Sequence, residues 1–346
     1  MNLDTHKLGI CVIGSGRAGM IHARNFARGT ARTRLVALAD THGPTLQEAQ
    51  RELEVETGYA DYKDALADSR VDAVVVVTPT SFHKEIVLQA AQAGKHVLCE
   101  KPMAMDVAEC DAMIAACKAA GVKLQIGFMR RYDSSFRAAK QRVESGEIGD
   151  VVLVKSLTHG PSVPQEWMYD IRKSNGPLAE VNSHDIDALR WFVESEIGEV
   201  FAIAGNFRCP QAARKYPDFY DNVAMLCRFE NGKQGFIDGA ASVGYGYDAR
   251  MEIVGTSGVM FVGRREQDSV VGCSTAKGIV QPFVKSWRTL FTEAYAAEDQ
   301  DFADCILDDR PPRVQGIDGR MAVAVVNAGN RSIAARAPVR VERMKQ

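Results

Sequence analysis

The run Gly14-Ser15-Gly16-Arg17-Ala18-Gly19 constrains this chain more than any other six residues. It follows the apolar run Leu8–Ile13, which reads as a strand, and opens a helical pattern from Ala18 to about Arg28. A GxGxxG in open sequence says little, but between a strand and a helix it predicts a dinucleotide-binding turn. Gly14 permits the tight turn, Gly16 lets backbone approach a pyrophosphate, and Gly19 lets helix and strand pack closely. The helix start offers its N–H groups to the phosphates. Ser15, Arg17 and Ala18 therefore join the glycines as expected cofactor contacts.

The second strand candidate, Leu35–Ala39, ends in Asp40. A carboxylate there accepts from both ribose hydroxyls and repels a 2′-phosphate. Thr41 and His42 follow it, with no arginine, so NAD is expected rather than NADP. The alternation continues with a helix at Thr45–Glu56, a valine-rich strand at Val71–Val77, a helix at Phe82–Ala93, a strand at His96–Cys99, a helix at Ala108–Ala120 and a strand at Lys123–Phe128. Strands alternating with helices predict βαβ units and a parallel sheet.

After about residue 150 the pattern changes. Val151–Leu157, Val200–Phe207, Asn222–Phe229, Gln234–Ala241, Arg250–Val254 and Val259–Val262 read as strands. Asn231-Gly232 is a hairpin signal, and Thr256-Ser257-Gly258 is a second tight turn. Consecutive strands with short turns predict a mainly antiparallel sheet. Helices return at Asn182–Glu194, Glu293–Leu307 and Asp318–Ala335. The 346 residues suit two domains. The expected architecture is α/β: a Rossmann domain over residues 1–129, then an α+β domain with an open sheet over 130–346.

Composition removes several classes of function. Lys plus Arg number 42 against 44 Asp plus Glu, which leaves no overall basic footprint for nucleic acid or an anionic membrane. No apolar stretch approaches the ~20 residues of a membrane span. Met1 to Lys7 is polar, with no basic run before an apolar segment, so no secretory signal is expected. The eight cysteines form no CxxC pair. They read as buried free thiols of a reducing, cytoplasmic setting rather than as metal ligands.

Two further segments hold candidate chemistry. Glu100-Lys101-Pro102 ends the strand His96–Cys99, and the carboxyl ends of parallel strands are where open α/β sheets hold ligands. The tripeptide alone fits equally a surface lysine before a loop proline. Glu180-Val181-Asn182-Ser183-His184-Asp185 precedes an amphipathic helix that Asn182 or Ser183 can cap. His184 then lies in the first turn, where the helix field disfavours an imidazolium and leaves the neutral ring a general base needs. Alone, it is also what a solvated histidine near a cap looks like. His159 and His184 are the only histidines after residue 96. Tyr59 and Lys63 make a YxxxK, but inside the cofactor domain it reads as coincidence.

Taken together, Gly14–Gly19, the stretch Gly94-Lys95-His96-Val97-Leu98-Cys99-Glu100-Lys101-Pro102 and His184 in His-Asp-Ile-Asp resemble the glucose–fructose oxidoreductase and inositol dehydrogenase (Gfo/Idh/MocA) family. The resemblance covers almost the whole chain. Gly127-Phe128-Met129-Arg130-Arg131-Tyr132-Asp133 and Gly244-Tyr245-Gly246-Tyr247-Asp248 are similar to its inositol 2-dehydrogenase branch. The resemblance implies NAD-linked oxidation of a secondary hydroxyl on a cyclic polyol or sugar. It implies catalytic roles for Lys101, His184 and Glu180, and adds Thr78, Glu100 and Lys101 to the cofactor contacts. Lys101, Met129, Arg130, Asn182, His184 and Tyr247 are the implied substrate contacts. It also implies a dimer or tetramer. Glu180 stands where the family usually has aspartate, which bears on the substrate more than on the reaction. A redox-neutral enzyme that recycles its NAD, an NADPH-linked aldose or ketose reductase, and a cofactor or sugar sensor are the alternatives on this fold.

Overall fold

The computed structural model describes residues Lys7–Arg343; the polar start read above for its lack of a leader lies largely outside them. The chain forms two compact units. The first holds residues 1–132 and 293–320, and the second holds 133–292 and 321–346. The sequence reading put everything after residue 129 in one domain. In the structure the segment Glu293–Arg320 belongs with the first unit.

In the first unit the elements are β1 (Leu8–Ile13), α1 (Gly19–Arg28), β2 (Thr33–Ala39), α2 (Gly43–Leu53), β3 (Thr57–Tyr59), α3 (Tyr62–Ala67), β4 (Ala73–Val76), α4 (His83–Gln92), β5 (His96–Glu100), α5 (Val107–Ala120) and β6 (Leu124–Gly127). The sheet runs β3-β2-β1-β4-β5-β6, and every pair is parallel. This is the doubly wound order, with its switch of direction beside β1. Strand β4 is buried on both faces, as an all-valine-and-alanine strand between helices must be. Ile10, Val12, Phe26, Leu35, Leu38 and Leu46 share a core with Phe302 and Ala303, so the helix Thr292–Leu307 is part of this fold.

The second unit opens with α6 (Ser134–Glu144), which the sequence reading did not find. Asp133 caps it, its carboxylate accepting from Ser135 and Phe136 N–H. After it come β7 (Val151–Gly160), three short helical turns between Glu166 and Glu180, and α7 (Ser183–Val193). Five strands follow: β8 (Ile197–Gly205), β9 (Asn222–Phe229), β10 (Gln234–Ala241), β11 (Asp248–Gly255) and β12 (Val259–Val262). The sheet order is β12-β11-β7-β10-β9-β8, closed at the end by the short strand Val339–Arg340. The pairs are antiparallel apart from β7 with β10. The Asn231-Gly232 hairpin forms, with Gly232 at φ +83° and Phe229 N–H bonded to Lys233 O. Seven of the eight cysteines are buried; Cys273, in the small hairpin Gly272–Val280, is exposed and departs from the expectation. Burial pushes the Cys117 and Cys305 thiols up to about 11, so they stay protonated.

Candidate active site

Because the first sheet is parallel, the chain leaves every strand at one edge. That edge gathers Gly14 after β1, Asp40 after β2, Thr78 after β4, Glu100 and Lys101 at the end of β5, and Met129 and Arg130 after β6. Gly14 has φ +100°, and a Cβ there would stand 2.5 Å from Val77 O. A Cβ on Gly19 would stand 1.8 Å from Gly14 O, so helix α1 sits on the turn at a distance only glycine allows. A Cβ on Gly16 would meet nothing within 4 Å. Gly16 and Arg17 are exposed, and Ala18 is half-buried.

Asp40 is tied to this turn. Its Oδ2 accepts from Ser15 N–H at 2.7 Å and its Oδ1 from His42 N–H at 2.8 Å. The carboxylate is therefore oriented before any ligand arrives. The buried hydroxyls Ser15 Oγ and Thr78 Oγ1 have no hydrogen-bond partner among the described residues. Orphaned hydroxyls beside an open glycine turn and a fixed carboxylate are what a dinucleotide would satisfy, so the residues fit the expected cofactor.

The loop after β5 is held from two sides. Lys101 N–H donates to Glu100 Oε2 at 2.9 Å, and the Lys101–Pro102 peptide is cis. His83, buried at the start of α4, places its ring nitrogens 2.8 Å from Thr78 O and 2.9 Å from Pro102 O. Burial pushes His83 below its ordinary value, so a neutral ring donates to one carbonyl at a time. His83 thus links the exits of β4 and β5. The sequence reading missed it, since nothing in its local pattern points to two carbonyls in separate loops. Met129 and Arg130 lie in a turn of 3-10 helix and are each 1% exposed.

In the second unit the candidates gather where β7 ends. His184 occupies the first turn of α7 and is 5% exposed. Asn182 stands at the N-cap position, but neither it nor Ser183 caps the helix as expected. Asn182 Nδ2 donates instead to Asp185 Oδ2 at 2.8 Å. Asp185 also accepts from Ser156 Oγ at 2.5 Å and Thr158 Oγ1 at 2.7 Å. This fully buried carboxylate pins the start of α7 to β7 and so fixes where His184 stands. The motif His-Asp was visible in the sequence, but the partners of its aspartate lie 27 and 29 residues away. Glu180 ends the short helix Gly176–Glu180, half-buried, two residues before Asn182.

Tyr247 precedes β11, whose first residue pairs with His159 at the end of β7. It is 6% exposed and meets Phe291 edge to face. His159 itself was passed over in the sequence. Its Nδ1 bonds Tyr245 Oη, and its Nε2 lies 3.1 Å from Asp238 Oδ1. The Tyr245–His159 pair adds hydrogen-bonding groups at the same end of the sheet, and His159 Nε2 makes no hydrogen bond of its own among the described residues. Tyr59, by contrast, donates to Asp68 at 3.0 Å, and the YxxxK pattern is structural.

Residues 8–128 match the oxidoreductase family with NAD-binding Rossmann fold, and residues 136–261 match the GFO/IDH/MocA C-terminal domain. The chain is 32% identical to the scyllo-inositol 2-dehydrogenase (NAD(+)) of Bacillus subtilis, over 97% of each chain. It is 33% identical to the myo-inositol 2-dehydrogenase of Thermotoga maritima, over 96% of this chain and 98% of that one. Among solved structures, scyllo-inositol dehydrogenase from Lactobacillus casei with bound NAD(H) and scyllo-inositol superposes with TM-score 0.88 at 29% identity, covering 96% of this chain and 99% of that one. With a dinucleotide turn, a lysine at the β5 exit and both domain matches in place, the chain belongs to the GFO/IDH/MocA oxidoreductase family.

Proposed function

We propose that this protein is an NAD-dependent dehydrogenase that oxidises a secondary hydroxyl of a cyclic polyol, of the inositol kind, to a ketone. The observation that carries the reading is the single sheet edge where the glycine turn, the pre-oriented Asp40 and Lys101 lie together. Full-length relatives named as inositol dehydrogenases support the substrate class.

Bound NAD supplies the hydride acceptor. His184 takes the hydroxyl proton, a task for which an imidazole held in a fixed position is suited. Lys101 hydrogen-bonds the same oxygen and stabilises the negative charge that develops on it. Glu180 orients the base or holds a neighbouring hydroxyl, and Asn182 supplies a further polar contact. Met129, Arg130 and Tyr247 contact the ring, and His159 with Tyr245 offers another hydroxyl partner. Asp40 takes the ribose hydroxyls and makes NADP the poorer cofactor.

We also propose a cytoplasmic homo-oligomer, a dimer or tetramer. On one face of the second sheet Phe201, Leu226, Phe236, Lys155, Glu252 and Phe261 stand directly opposite one another across six strands. Phe201, Leu226 and Phe261 are exposed, and such a row needs cover. No helix of the described residues is long and apolar enough to cross a membrane.

The test is NADH formation with myo-, scyllo- and chiro-inositol, glucose and its epimers, each with NAD and NADP. Turnover of an inositol with NAD is expected, and it falls by at least about 10² in Lys101→Ala and in His184→Ala. Saturable NAD binding without turnover of any polyol or sugar would overturn the reading in favour of a sensor or a redox-neutral enzyme. Light scattering on the purified protein reads the oligomeric state directly.

A further inference from the structure

Behind the β5 exit, inside the first unit, lies a buried group of three carboxyls and one imidazole. His22 on α1, Asp299 and Glu298 are each 0% exposed, and Glu100 is 5% exposed. His22 Nδ1 stands 2.6 Å from Asp299 Oδ1, and its Nε2 stands 3.2 Å from Glu100 Oε1. Asn25 Nδ2 donates to Asp299 Oδ2 at 2.7 Å. Glu100 Oε2 takes the Lys101 N–H. Ligand atoms of His22, Glu100 and Glu298 all lie within 4.8 Å of one another. Tyr295 covers the imidazole edge to face at 5.4 Å.

Three buried carboxylates cannot all stay ionised against one histidine, because each uncompensated charge in such a site is costly. Either a cation or a proton must enter. The hydrogen bonds say which carboxyl takes a proton. Asp299 and Glu100 each have a donor facing both oxygens, whereas neither oxygen of Glu298 has a partner among the described residues. We infer that Glu298 carries a proton, which balances the charge of this buried group, and that His22, braced by Asp299, holds Glu100 against the backbone of Lys101. His22 is then a positioning residue for the lysine, and Glu298 keeps the charge of its surroundings in balance. This role rests on the dehydrogenase reading above; the protonation of Glu298 does not.

The electrostatics run the same way. Burial and the neighbouring Glu100 push Glu298 well above the usual carboxyl range. Burial would lower His22, but Asp299 and Glu100 together hold it well above an ordinary histidine. Burial also raises Asp299, and the two donors it faces oppose that rise. With both donors within 2.7 Å, we take Asp299 as the ionised partner of His22. Space is limited as well: a Cβ on Gly127 would come 2.9 Å from the Glu100 carboxyl carbon. The glycine at the end of β6 leaves Glu100 room to reach both partners.

The experiment compares wild type, Glu298→Gln, Glu298→Ala and His22→Leu. Infrared difference spectra of wild type against Glu298→Gln, at neutral pH, are expected to contain a protonated carboxylic acid band that the variant lacks. This readout needs no substrate, so its failure is distinct from failure of the proposed reaction. Glu298→Gln, a neutral isostere, is expected to keep kcat within about twofold. Loss of a packed positioning group can cost on the order of a hundredfold, so His22→Leu is expected to lower kcat strongly while KM for NAD stays within about threefold. Absence of the acid band would overturn the inference. So would an equimolar divalent metal in the purified protein, or a loss of kcat in Glu298→Gln as large as in Glu298→Ala. If His22→Leu fails to fold, the infrared and Glu298 arms still decide.

Discussion

Gly16 and Gly19 sit three residues apart in one turn, and the structure separates their roles sharply. At Gly19 an added Cβ would meet Gly14 O at 1.8 Å and Gly14 C at 2.9 Å, both backbone atoms that cannot swing aside. Moving the closer pair from 1.8 Å to even 3.0 Å takes a 1.2 Å shift of α1 against β1. Overpacking of this kind costs up to about 3 kcal/mol. In a unit of this size that lowers Tm by roughly 6–12 °C. At Gly16 no heavy atom of the protein lies within 4 Å of the added carbon, and the residue is not at positive φ. Gly16→Ala is therefore expected to keep Tm, or to raise it slightly by restricting the unfolded chain, an effect of about 0.4–1 kcal/mol. The open space over Gly16 is where a pyrophosphate approaches, so the same methyl is expected to weaken NAD binding about 10- to 100-fold, or about 1.4–2.8 kcal/mol. Thermal melts and titration calorimetry on the two variants make the comparison. A Gly16→Ala protein with wild-type NAD affinity would refute the assignment of that space to the cofactor, whatever Gly19→Ala does.

Other predictions follow from single contacts. Asp40→Ala removes the acceptor of Ser15 and His42 N–H; it is expected to weaken NAD binding and to narrow the preference over NADP, read as the ratio of the two Kd values. A ratio unchanged from wild type would deny Asp40 its role in cofactor choice. Stability should also carry the mark of Glu298, whose ordinary value is 4.5 and whose folded value is raised. The native state then holds a proton the unfolded chain releases, so this contribution is full below about pH 4.5 and is lost as pH climbs toward the folded value. Glu298→Gln deletes it, and its Tm relative to wild type is expected to rise with pH; a difference that is flat or falls contradicts the assignment. Alkylation of the native protein is expected to modify Cys273 rapidly and the seven buried thiols only on unfolding, as counted by intact mass.

The parts of the fold that sequence reasoning reached are those whose cause is local. The glycine turn, the valine-rich β4 and the Asn231-Gly232 hairpin each need only neighbouring residues, and each stands where it was expected. The parts it missed depend on distant partners. The parallel pairing of β7 with β10 is set across the sheet, and nothing within either strand specifies it. The helical turns between Glu166 and Glu180 are four or five residues long, too short to show a period. Helix α6 did have a readable signal, Asp133 before Ser134-Ser135-Phe136, but that aspartate was read only as the end of the Met-Arg stretch.

The candidate site divides along the same line. The residues expected to touch cofactor or substrate were named from the sequence, the glycine turn and Asp40 by their place at strand ends and the others through the family resemblance. The groups that hold those residues still were not. Asp185 reaches back 27 and 29 residues to β7, His83 joins two loops, and His22 meets Asp299 across 277 residues of chain. Each is a buried polar group, and a buried polar group is stable only with its partners in place. Such a group therefore does two things at once: it demands a specific tertiary arrangement, and it makes that arrangement rigid once formed. The consequence for this chain is directional. A loss of Lys101 or His184 should remove chemistry and leave the fold, whereas a loss of Asp185 should shift His184 and cost stability together, because Asn182, Ser156 and Thr158 would all lose their acceptor.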